Sequence, residues 1–219
     1  MRWLALDIEE DSVQIAILEG KPTSFTIKKL FSLKTSLFTE EFVKQLYKQE
    51  KPTSITSAIN PSSLLVKSLS LEYTKKRGLQ KILPFQIETS LTLPLEECLY
   101  KVFLKKPSKE KTEISLLVIK KENLISHLKE MENLHLDPDI VSSHPSALGR
   151  FAKTFIKENK PIFIVHLGWK KSLCALIDNG IPIHFHTWKG GIYYLLEALH
   201  LDKPHVDIKD LSTFASQVD

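Results

Sequence analysis

Two stretches of the chain alternate apolar and polar residues in the same order. Residues 12–18 and 172–178 are rich in Ile, Val, Leu and Ala, and each stretch leads into a turn that contains a glycine, Gly20 or Gly180. Alternation with a period of two is typical of a strand with one buried face, and a short glycine turn between two such strands is typical of a hairpin. The sequence therefore predicts a β-hairpin at each of these places.

The two hairpins are related copies of one unit. Ser12–Pro22 aligns with Ser172–Pro182 at a constant offset of 160 residues, and the aligned positions share Ser, Gly and Pro, with a Phe three residues beyond the Pro in both copies. Internal similarity of this kind constrains a fold more strongly than a single residue does. We therefore predict two related three-stranded meanders, over residues 3–34 and 161–188.

The first strand of each meander needs a gap in the alignment. Trp3–Ile8 aligns with Ile162–Leu167 when a single residue is inserted in the turn that follows, and this alignment places Asp7 opposite His166. Each copy then consists of a strand, a tight turn, a second strand, a glycine turn and a third strand.

The rest of the chain predicts a mixture of helices and strands. Helical spacing of apolar residues predicts helices over residues 39–49, 75–89 with an interruption near Pro84, 122–134, 146–157, 192–201 and 206–214. Alternating or short apolar runs predict strands over residues 54–60, 64–71, 98–104, 113–119 and 140–141. We therefore divide the chain into a first α/β half, residues 1–160, with an inserted subdomain at about 62–136, and the start of a second half, residues 161–219.

The composition indicates an ordinary folded protein and does not identify a class of binding partner. Of the 219 residues, 42% are apolar and 26% are charged, which excludes the disordered, collagen-like and coiled-coil classes. The formal net charge of +4 is too small to indicate binding to nucleic acid or to an anionic membrane. The lysine-rich segment Lys101–Lys111 is predicted to be a solvated hairpin tip rather than a phosphate-binding patch.

The cysteines and the apolar runs indicate a cytoplasmic protein. Cys98 and Cys174 each lie in an apolar alternating stretch, so we predict buried thiols and no disulfide framework. Asp7 interrupts the N-terminal sequence too early for a secretory signal. The longest apolar runs, such as Ile114–Ile119, fall well short of the roughly 18 to 20 residues that span a bilayer. Any location at a membrane would therefore depend on a partner.

Four segments resemble the motifs of one superfamily. Residues 6–15 are similar to a first phosphate-binding loop, with the acid Asp7 near the end of the first strand. Residues 83–100, which contain Pro-Leu-Glu-Glu, are similar to an acidic helix followed by a proline-containing turn. Residues 134–151 resemble the strand and helix that return to the first half, and residues 166–191 resemble a second phosphate-binding loop that ends in Gly190-Gly191.

In this order the segments resemble the actin-like ATPase superfamily. Within it, they are similar to the cytoplasmic assembly proteins of type IV pili, the M-like branch, and to the cytoplasmic domain of the L-type component of type II secretion. The resemblance implies an α/β, actin-like (RNase H-like) duplicated fold with an inserted α/β subdomain. Because the chain ends at Asp219, soon after the second loop, we expect the second half to be truncated.

The resemblance also implies a function and a location. In that branch, a membrane-anchored partner lends a short extended peptide of its cytoplasmic tail to a groove on the actin-like protein. The implied role is a non-catalytic scaffold of a type IV pilus or type II secretion platform, which is cytoplasmic and peripheral to the bacterial inner membrane through its partner. The implied partners are the cytoplasmic segment of a single-pass inner-membrane assembly protein and the secretion or pilus ATPase, with no nucleic acid and no direct membrane insertion.

Two departures from the superfamily pattern argue against ATP turnover. Active members have a glycine in the first loop because the backbone must approach a phosphate closely, whereas this chain has Glu9. The residue aligned with the acid of the second loop is His166, which removes an oxygen ligand that Mg²⁺ prefers. We therefore expect no cofactor and no catalytic residue. A vestigial nucleotide cleft is predicted at Asp7, Ser12, Gly168, Gly190 and Gly191.

Two other functions stay open at this point. The first is a nucleotide-binding actin-like ATPase or small-molecule kinase, in which Asp7 positions Mg²⁺ and backbone amides near Ser12 and Gly168 hold phosphate. The second is an RNase H-like nuclease, which ranks last because two-metal cleavage needs several converging acids.

Two local features also have alternative interpretations. The spacing of His184 and His186 would permit a three-histidine metal site with His166, but a polar strand face is the preferred interpretation. The segment Trp169–Lys171 could contact a phosphate, and we predict a solvated turn instead.

Overall fold

The structure, a computed structural model, describes residues 1–21, 24–72, 76–91, 94–104, 111–156 and 160–202. The predicted helix over residues 206–214, and most of the predicted lysine-rich tip, lie outside these residues. The strands are β1 (Arg2–Ile8), β2 (Ser12–Lys21), β3 (Ser24–Lys34), β4 (Ser54–Ile59), β5 (Leu64–Leu71), β6 (Cys98–Leu104), β7 (Thr112–Lys120), β8 (Ile140–Ser143), β9 (Ile162–Leu167), β10 (Lys171–Asp178) and β11 (Ile181–Lys189). The helices are α1 (Glu40–Glu50), α2 (Lys76–Ser90), α3 (Lys121–Asn133), α4 (His144–Phe155) and α5 (Ile192–Asp202).

A five-stranded mixed sheet, in the order β3–β2–β1–β4–β8, forms the base of the first half. β1, β2 and β3 are the first antiparallel meander, and β4 and β8 are parallel to β1. Parallel neighbours require crossover connections. The first crossover contains α1, and the second contains a separate antiparallel sheet in the order β5–β7–β6 together with α2 and α3.

The second meander forms its own sheet in the order β11–β10–β9, so both predicted meanders are confirmed. Their central strands bury the same positions. Val13, Ile15 and Ile17 of β2 and, at the offset of 160, Leu173, Ala175 and Ile177 of β10 are each no more than 3% exposed. The shared alternation therefore reflects the same inward face in two copies of one unit.

The strand registers correct the predicted alignment of the first strands. The equivalent pairs are Val13 with Ile8 in the first copy and Leu173 with His166 in the second. His166 is therefore equivalent to Ile8, and Val165 is equivalent to Asp7. The turn of the second copy is two residues longer, not one, because a shift of one residue would move every side chain to the other face of its sheet.

Helix α4 follows β8 of the first half and packs into the core of the second meander. Its residue Ala152 belongs to the apolar cluster that contains the buried side chains of β10. A Cβ added to Gly149 of α4 would lie 2.4 Å from the carbonyl oxygen of Gly180, in the turn between β10 and β11. The inserted sheet also contacts the second meander, because the hydroxyls of Ser68 and Ser115 donate to the carbonyls of Ile183 and Pro182. The two halves therefore pack closely.

Helix α2 continues through Pro84, contrary to the predicted interruption. A proline inside a helix removes one backbone hydrogen bond and costs about 3 kcal/mol. Leu83 and the fully buried Ile87 pack against the inserted sheet, and this burial offsets the cost. Side-chain packing therefore stabilises a helix that local propensity disfavours.

The start of α4 is set two residues earlier than predicted, at His144. Ser143 is its N-cap, and the Ser143 hydroxyl accepts a hydrogen bond from the amide of Ser146. Pro145 lies in the first turn, where a missing N–H has no cost. The earlier start brings the side chain of His144 to the end of β1.

A buried hydrogen bond holds α3 on the first sheet. Ser57 Oγ of β4 and His127 Nε2 of α3 are 2.8 Å apart, and both residues are buried. Burial lowers the pKa of His127, although the charge of Glu130 acts in the opposite direction. The folded protein therefore holds this imidazole in its neutral form.

We expect His127 to make the protein less stable in mild acid. Because its pKa is lower in the folded state than in the unfolded chain, the unfolded chain binds more protons as the pH falls below about 6.5. The stability that His127 contributes is complete above that pH and declines below it. Denaturant unfolding of the wild type and of His127→Gln should therefore give a difference in unfolding free energy that shrinks towards acid pH. A difference that grows towards acid pH would contradict this assignment.

Candidate functional site

Two turns face each other across an open cavity of about 830 Å³. The first turn, Glu9–Asp11, joins β1 to β2, and the second turn, Gly168–Lys170, joins β9 to β10. Three of the predicted cleft residues, Asp7, Ser12 and Gly168, line this cavity. The duplicated fold therefore brings the equivalent turns of its two copies to one place.

Ion pairs connect the two turns. Lys170 Nζ lies 2.9 Å from Asp11 Oδ1, and Lys171 Nζ lies 3.8 Å from Glu10 Oε2. The hydrogen bond to Asp11 raises the pKa of Lys170, which keeps its ammonium group charged. The predicted solvated turn thus has partners that the sequence analysis missed. The two lysines are engaged by carboxylates of the same chain.

Backbone amides at both turns also have partners within the chain. In the first turn, the amide of Glu9 donates to Ser12 O at 2.9 Å, and the Thr35 hydroxyl donates to Glu9 O at 3.0 Å. At the second turn, the amides of Ile192 and Tyr193 donate to the carbonyls of Gly168 and Trp169 at 3.0 and 2.9 Å. Free amides at a helix start could hold an anion. Here the first amides of α5 hold the second turn instead.

The other two predicted glycines, Gly190 and Gly191, lie directly behind the second turn. A Cβ on Gly191 would lie 2.3 Å from the carbonyl oxygen of Gly168, a distance that no real side chain tolerates. Gly190 has a φ of 150°, which favours glycine. These glycines therefore allow α5 to approach the second turn backbone to backbone.

A cluster of two carboxylates and one imidazole lies beside the cavity, and its two carboxylates line the cavity wall. Asp7, Glu9 and His144 each place one potential ligand atom within 4.8 Å of the others. His144 Nε2 lies 2.9 Å from Asp7 Oδ2, and only 8% of His144 is exposed. Because β8 returns parallel to β4, the first turn of α4 reaches the end of β1.

The charges of this cluster perturb one another. Burial raises the pKa of Glu9, and the charge of Asp7 raises it further, against the opposing effects of nearby histidines and Lys171. Burial disfavours the charged form of His144, but its hydrogen bond and charge interaction with Asp7 outweigh burial, and the pKa of His144 is raised. His144 is therefore the hydrogen-bond partner of Asp7, whereas Glu9 interacts electrostatically with both His166 and His144.

The charge of the cavity opposes the binding of a polyphosphate. Its lining contains four carboxylates, those of Asp7, Glu9, Glu10 and Asp11, and one lysine, Lys34. Unlike a phosphate-binding loop, this wall repels an anion at close range. It attracts a cation.

The strand register excludes the three-histidine site. β10 lies between β9 and β11, so His166 is not on a strand adjacent to His184 and His186. His184 and His186 align across β10 with Phe163 and Val165 of β9. Residues in register share a face of a sheet, and His166 follows Val165 directly. His166 therefore lies on the face opposite to the other two histidines.

The sequence analysis missed His144 as a member of the site. The residues Ser143-His144-Pro145 predict only the start of a helix, and His144 lies 137 residues from its partner Asp7. A motif search depends on local spacing and cannot detect a pair at this separation. The predicted return of a strand and helix to the first half was the one signal that placed this segment near Asp7.

A second concave surface lies between the edges of two sheets. This apolar groove, of about 350 Å³, is bounded by edge strand β6 of the inserted sheet and edge strand β8 of the five-stranded sheet. Its apolar walls come from Leu64, Leu99, Leu117, Ile119, Leu124 and Ile140, and Lys101 and Arg150 add positive charge. Leu99 and Ile140 are 43% and 55% exposed. None of its lining residues belongs to the cavity between the turns.

Comparison with known proteins identifies similarity of structure rather than of sequence. No protein-family profile matches the sequence, and no curated protein matches it. A chain in a structure of the PilM–PilN type IV pilus biogenesis complex has a TM-score of 0.72 at 12% identity, over 99% of this chain and 70% of that chain. The cytoplasmic domain of EpsL, an inner-membrane component of the type II secretion system of Vibrio cholerae, has a TM-score of 0.54 at 11% identity, over 86% of this chain and 71% of that chain.

A third solved structure broadens the comparison. The ethanolamine utilization protein EutJ from Carboxydothermus hydrogenoformans has a TM-score of 0.52 at 10% identity, over 97% of this chain and 60% of that chain. Among the described residues, no helix is both long enough and apolar enough to cross a bilayer. The predicted fold class is confirmed: this chain has the actin-like fold, shared with the pilus biogenesis and type II secretion structures.

Proposed function

We propose that this chain is a non-catalytic cytoplasmic scaffold of a type IV pilus or type II secretion assembly platform, held at the inner membrane by the cytoplasmic segment of a membrane-anchored partner. The similarity in fold to a pilus biogenesis complex and to the cytoplasmic domain of a secretion component supports this role. The observation that carries the proposal is the apolar groove between β6 and β8.

The backbone of the groove suits an extended peptide. β6 and β8 are edge strands, so each has one side without a neighbouring strand in the described part of the chain. A peptide that adds to such an edge gains backbone hydrogen bonds, and its alternate side chains enter pockets on one face. The exposed apolar residues of both strands then gain a partner, which accounts for their exposure.

The side chains of the groove indicate the character of the peptide. Leu99, Leu117 and Ile140 favour apolar side chains at alternate positions. Lys101 and Arg150 favour a carboxylate near the bound segment. We therefore assign to this groove a short apolar segment with at least one acidic residue, from the cytoplasmic tail of a single-pass inner-membrane protein.

A capture experiment tests this proposal. The full chain, shown to be folded by circular dichroism, is used as bait in detergent-solubilised native membranes, and captured proteins are identified by mass spectrometry. We expect recovery of a single-pass inner-membrane protein, whose synthetic cytoplasmic segment then binds the chain saturably in fluorescence anisotropy. Failure to recover such a protein, or a cytoplasmic segment that does not bind, would refute the scaffold role.

The second candidate function is a nucleotide-binding ATPase or kinase. The size of the cavity between the turns, about 830 Å³, and the position of Asp7 in its wall favour this alternative. The four carboxylates in the cavity wall oppose it, because they repel phosphate. Lys170 and Lys171 are already paired with carboxylates, and the first amides of α5 already donate to backbone carbonyls.

We expect the wild type to show no saturable binding of Mg-ATP in isothermal titration calorimetry at millimolar concentration. The physical reason is repulsion between the triphosphate and the carboxylates of the first turn. Asp7→Ala serves as the matched variant. Micromolar binding by the wild type that is lost in Asp7→Ala would favour the nucleotide-binding function over the scaffold.

A further inference from the structure

We propose that Asp7, Glu9 and His144 form a binding site for a divalent cation of the zinc class, occupied without a nucleotide. The site goes beyond the scaffold role, because it shares no residue with the apolar groove. Its three side chains come from separate elements: the end of β1, the first turn and the first residue of α4.

The spacing of the ligand atoms suits a small metal ion. Zinc binds imidazole nitrogen and carboxylate oxygen at about 2.0 to 2.2 Å, so neighbouring ligands of a tetrahedral site are about 3.3 Å apart. In this cluster, His144 Nε2 and Asp7 Oδ2 are 2.9 Å apart, and all three ligand atoms lie within 4.8 Å of one another. Side-chain adjustments smaller than about 1.5 Å would complete three corners of a tetrahedron.

The ligand types select the class of cation. Mg²⁺ and Ca²⁺ prefer oxygen ligands alone, whereas a mixture of imidazole and carboxylate suits zinc and its neighbours among the transition metals. The attraction for a cation comes from the carboxylates of Asp7 and Glu9 themselves. Glu10 and Asp11 are already paired with Lys171 and Lys170. Because Asp7 and Glu9 line the open cavity, water would take the fourth position.

The supporting groups hold the three ligands in place. His144 is buried at the start of α4, where its Nε2 lies 2.9 Å from Asp7 Oδ2 and its Nδ1 is buried without a hydrogen-bond partner among the described residues. Glu9 is fixed by the hydrogen bond of its amide to Ser12 O and by the bond from the Thr35 hydroxyl to its carbonyl. Ligands on constrained backbone lose little freedom when a metal binds. A bound ion would pin the first turn to α4.

Titration of the full chain with zinc chloride, after treatment with a chelator, tests the site. We expect one saturable equivalent by isothermal titration calorimetry, and at 100-fold excess over the dissociation constant a rise in Tm of about 5 to 10 °C. Asp7→Asn and Glu9→Gln preserve side-chain size and should each weaken binding at least about tenfold. Cobalt chloride in place of zinc should give the visible absorption of a tetrahedral site in the wild type and lose it in both variants.

Two matched controls separate this cluster from surface binding. Glu10→Gln changes the adjacent carboxylate, which lies outside the cluster, and should leave zinc affinity within about threefold of the wild type. The double variant His184→Gln, His186→Gln removes two exposed histidines and should have no effect. The proposal fails if the wild type binds no zinc, if the double histidine variant abolishes binding, or if both Asp7→Asn and Glu9→Gln bind as the wild type does.

Discussion

On the scaffold proposal, Leu99→Asp and Ile140→Asp will each weaken binding of the proposed partner segment about 30-fold or more. Both side chains are exposed on edge strands that bound the apolar groove, at 43% and 55%, so neither substitution removes a core contact. A peptide that buries them would meet an unpaired carboxylate instead of an apolar wall. Truncation of a central interface residue costs about 2 kcal/mol or more, which corresponds to the stated loss of affinity.

Leu65→Asp provides the matched control for this prediction. Leu65 lies on β5, the opposite edge strand of the same inserted sheet, is 47% exposed and does not line the groove. Its substitution should leave the dissociation constant within about twofold of the wild type, measured by fluorescence anisotropy with the same labelled peptide. Equal losses for Leu65→Asp and Leu99→Asp would show that the peptide binds elsewhere or that the inserted sheet has unfolded.

Gly149→Ala will lower the unfolding free energy by about 1 to 2 kcal/mol. At an ordinary helical position, replacement of glycine by alanine gains up to about 1 kcal/mol from helix propensity. Here the added Cβ would lie 2.4 Å from the carbonyl oxygen of Gly180, so α4 and the turn between β10 and β11 must separate. Overpacking of this kind costs about 1 to 3 kcal/mol and occasionally more, and the collision is with backbone that cannot rotate away. The steric cost therefore exceeds the gain.

Urea unfolding monitored by two probes measures this effect, with Ala147→Val as the control. Ala147 lies on the exposed side of the same helix, so the larger side chain meets solvent and should cost only a few tenths of a kcal/mol. A Gly149→Ala variant as stable as the wild type would mean that α4 does not hold the two halves together as described.

The two turns of the cavity bond to each other through their side chains and backbone. Carboxylates of the first turn pair with Lys170 of the second turn and with Lys171, the first residue of β10. The first amides of α5 donate to carbonyls of the second turn. Groups that a nucleotide site would direct at phosphate therefore satisfy one another. The remaining excess of carboxylates near His144 repels an anion and accounts for the cation site proposed above.

The sequence alone predicted much of the architecture because the signals involved are local. Helical spacing predicted a helix over residues 39–49, and the structure has α1 over Glu40–Glu50, with the side chain of Thr39 as the N-cap that accepts from the amide of Phe42. The alternation around Val13 and Leu173 predicted both meanders, because a buried face imposes a period of two on the sequence itself. Errors arose where a prediction depended on packing, as at Pro84 in the uninterrupted α2.

The register of the second meander shows the same limit. A sequence alignment pairs Asp7 with His166 as readily as with Val165, because a gap of one residue and a gap of two residues in the turn are penalised almost equally. The structure selects Val165, because only an even shift keeps the apolar side chains of β9 facing their core. The predicted departure at the second loop thus involves Val165, an apolar residue, rather than an imidazole.

The order of the elements and the carboxylates of the first turn follow from the sequence itself, because each depends on residues that are close together in the chain. The duplication also follows from the sequence, because both copies carry the same alternation of apolar and polar residues. The site depended on tertiary structure. His144 contacts Asp7 at a separation of 137 residues along the chain, and Lys170 contacts Asp11 at a separation of 159 residues. Such contacts are fixed by how the strands β1, β4 and β8 and the two meanders pack. No local pattern of residues records that packing.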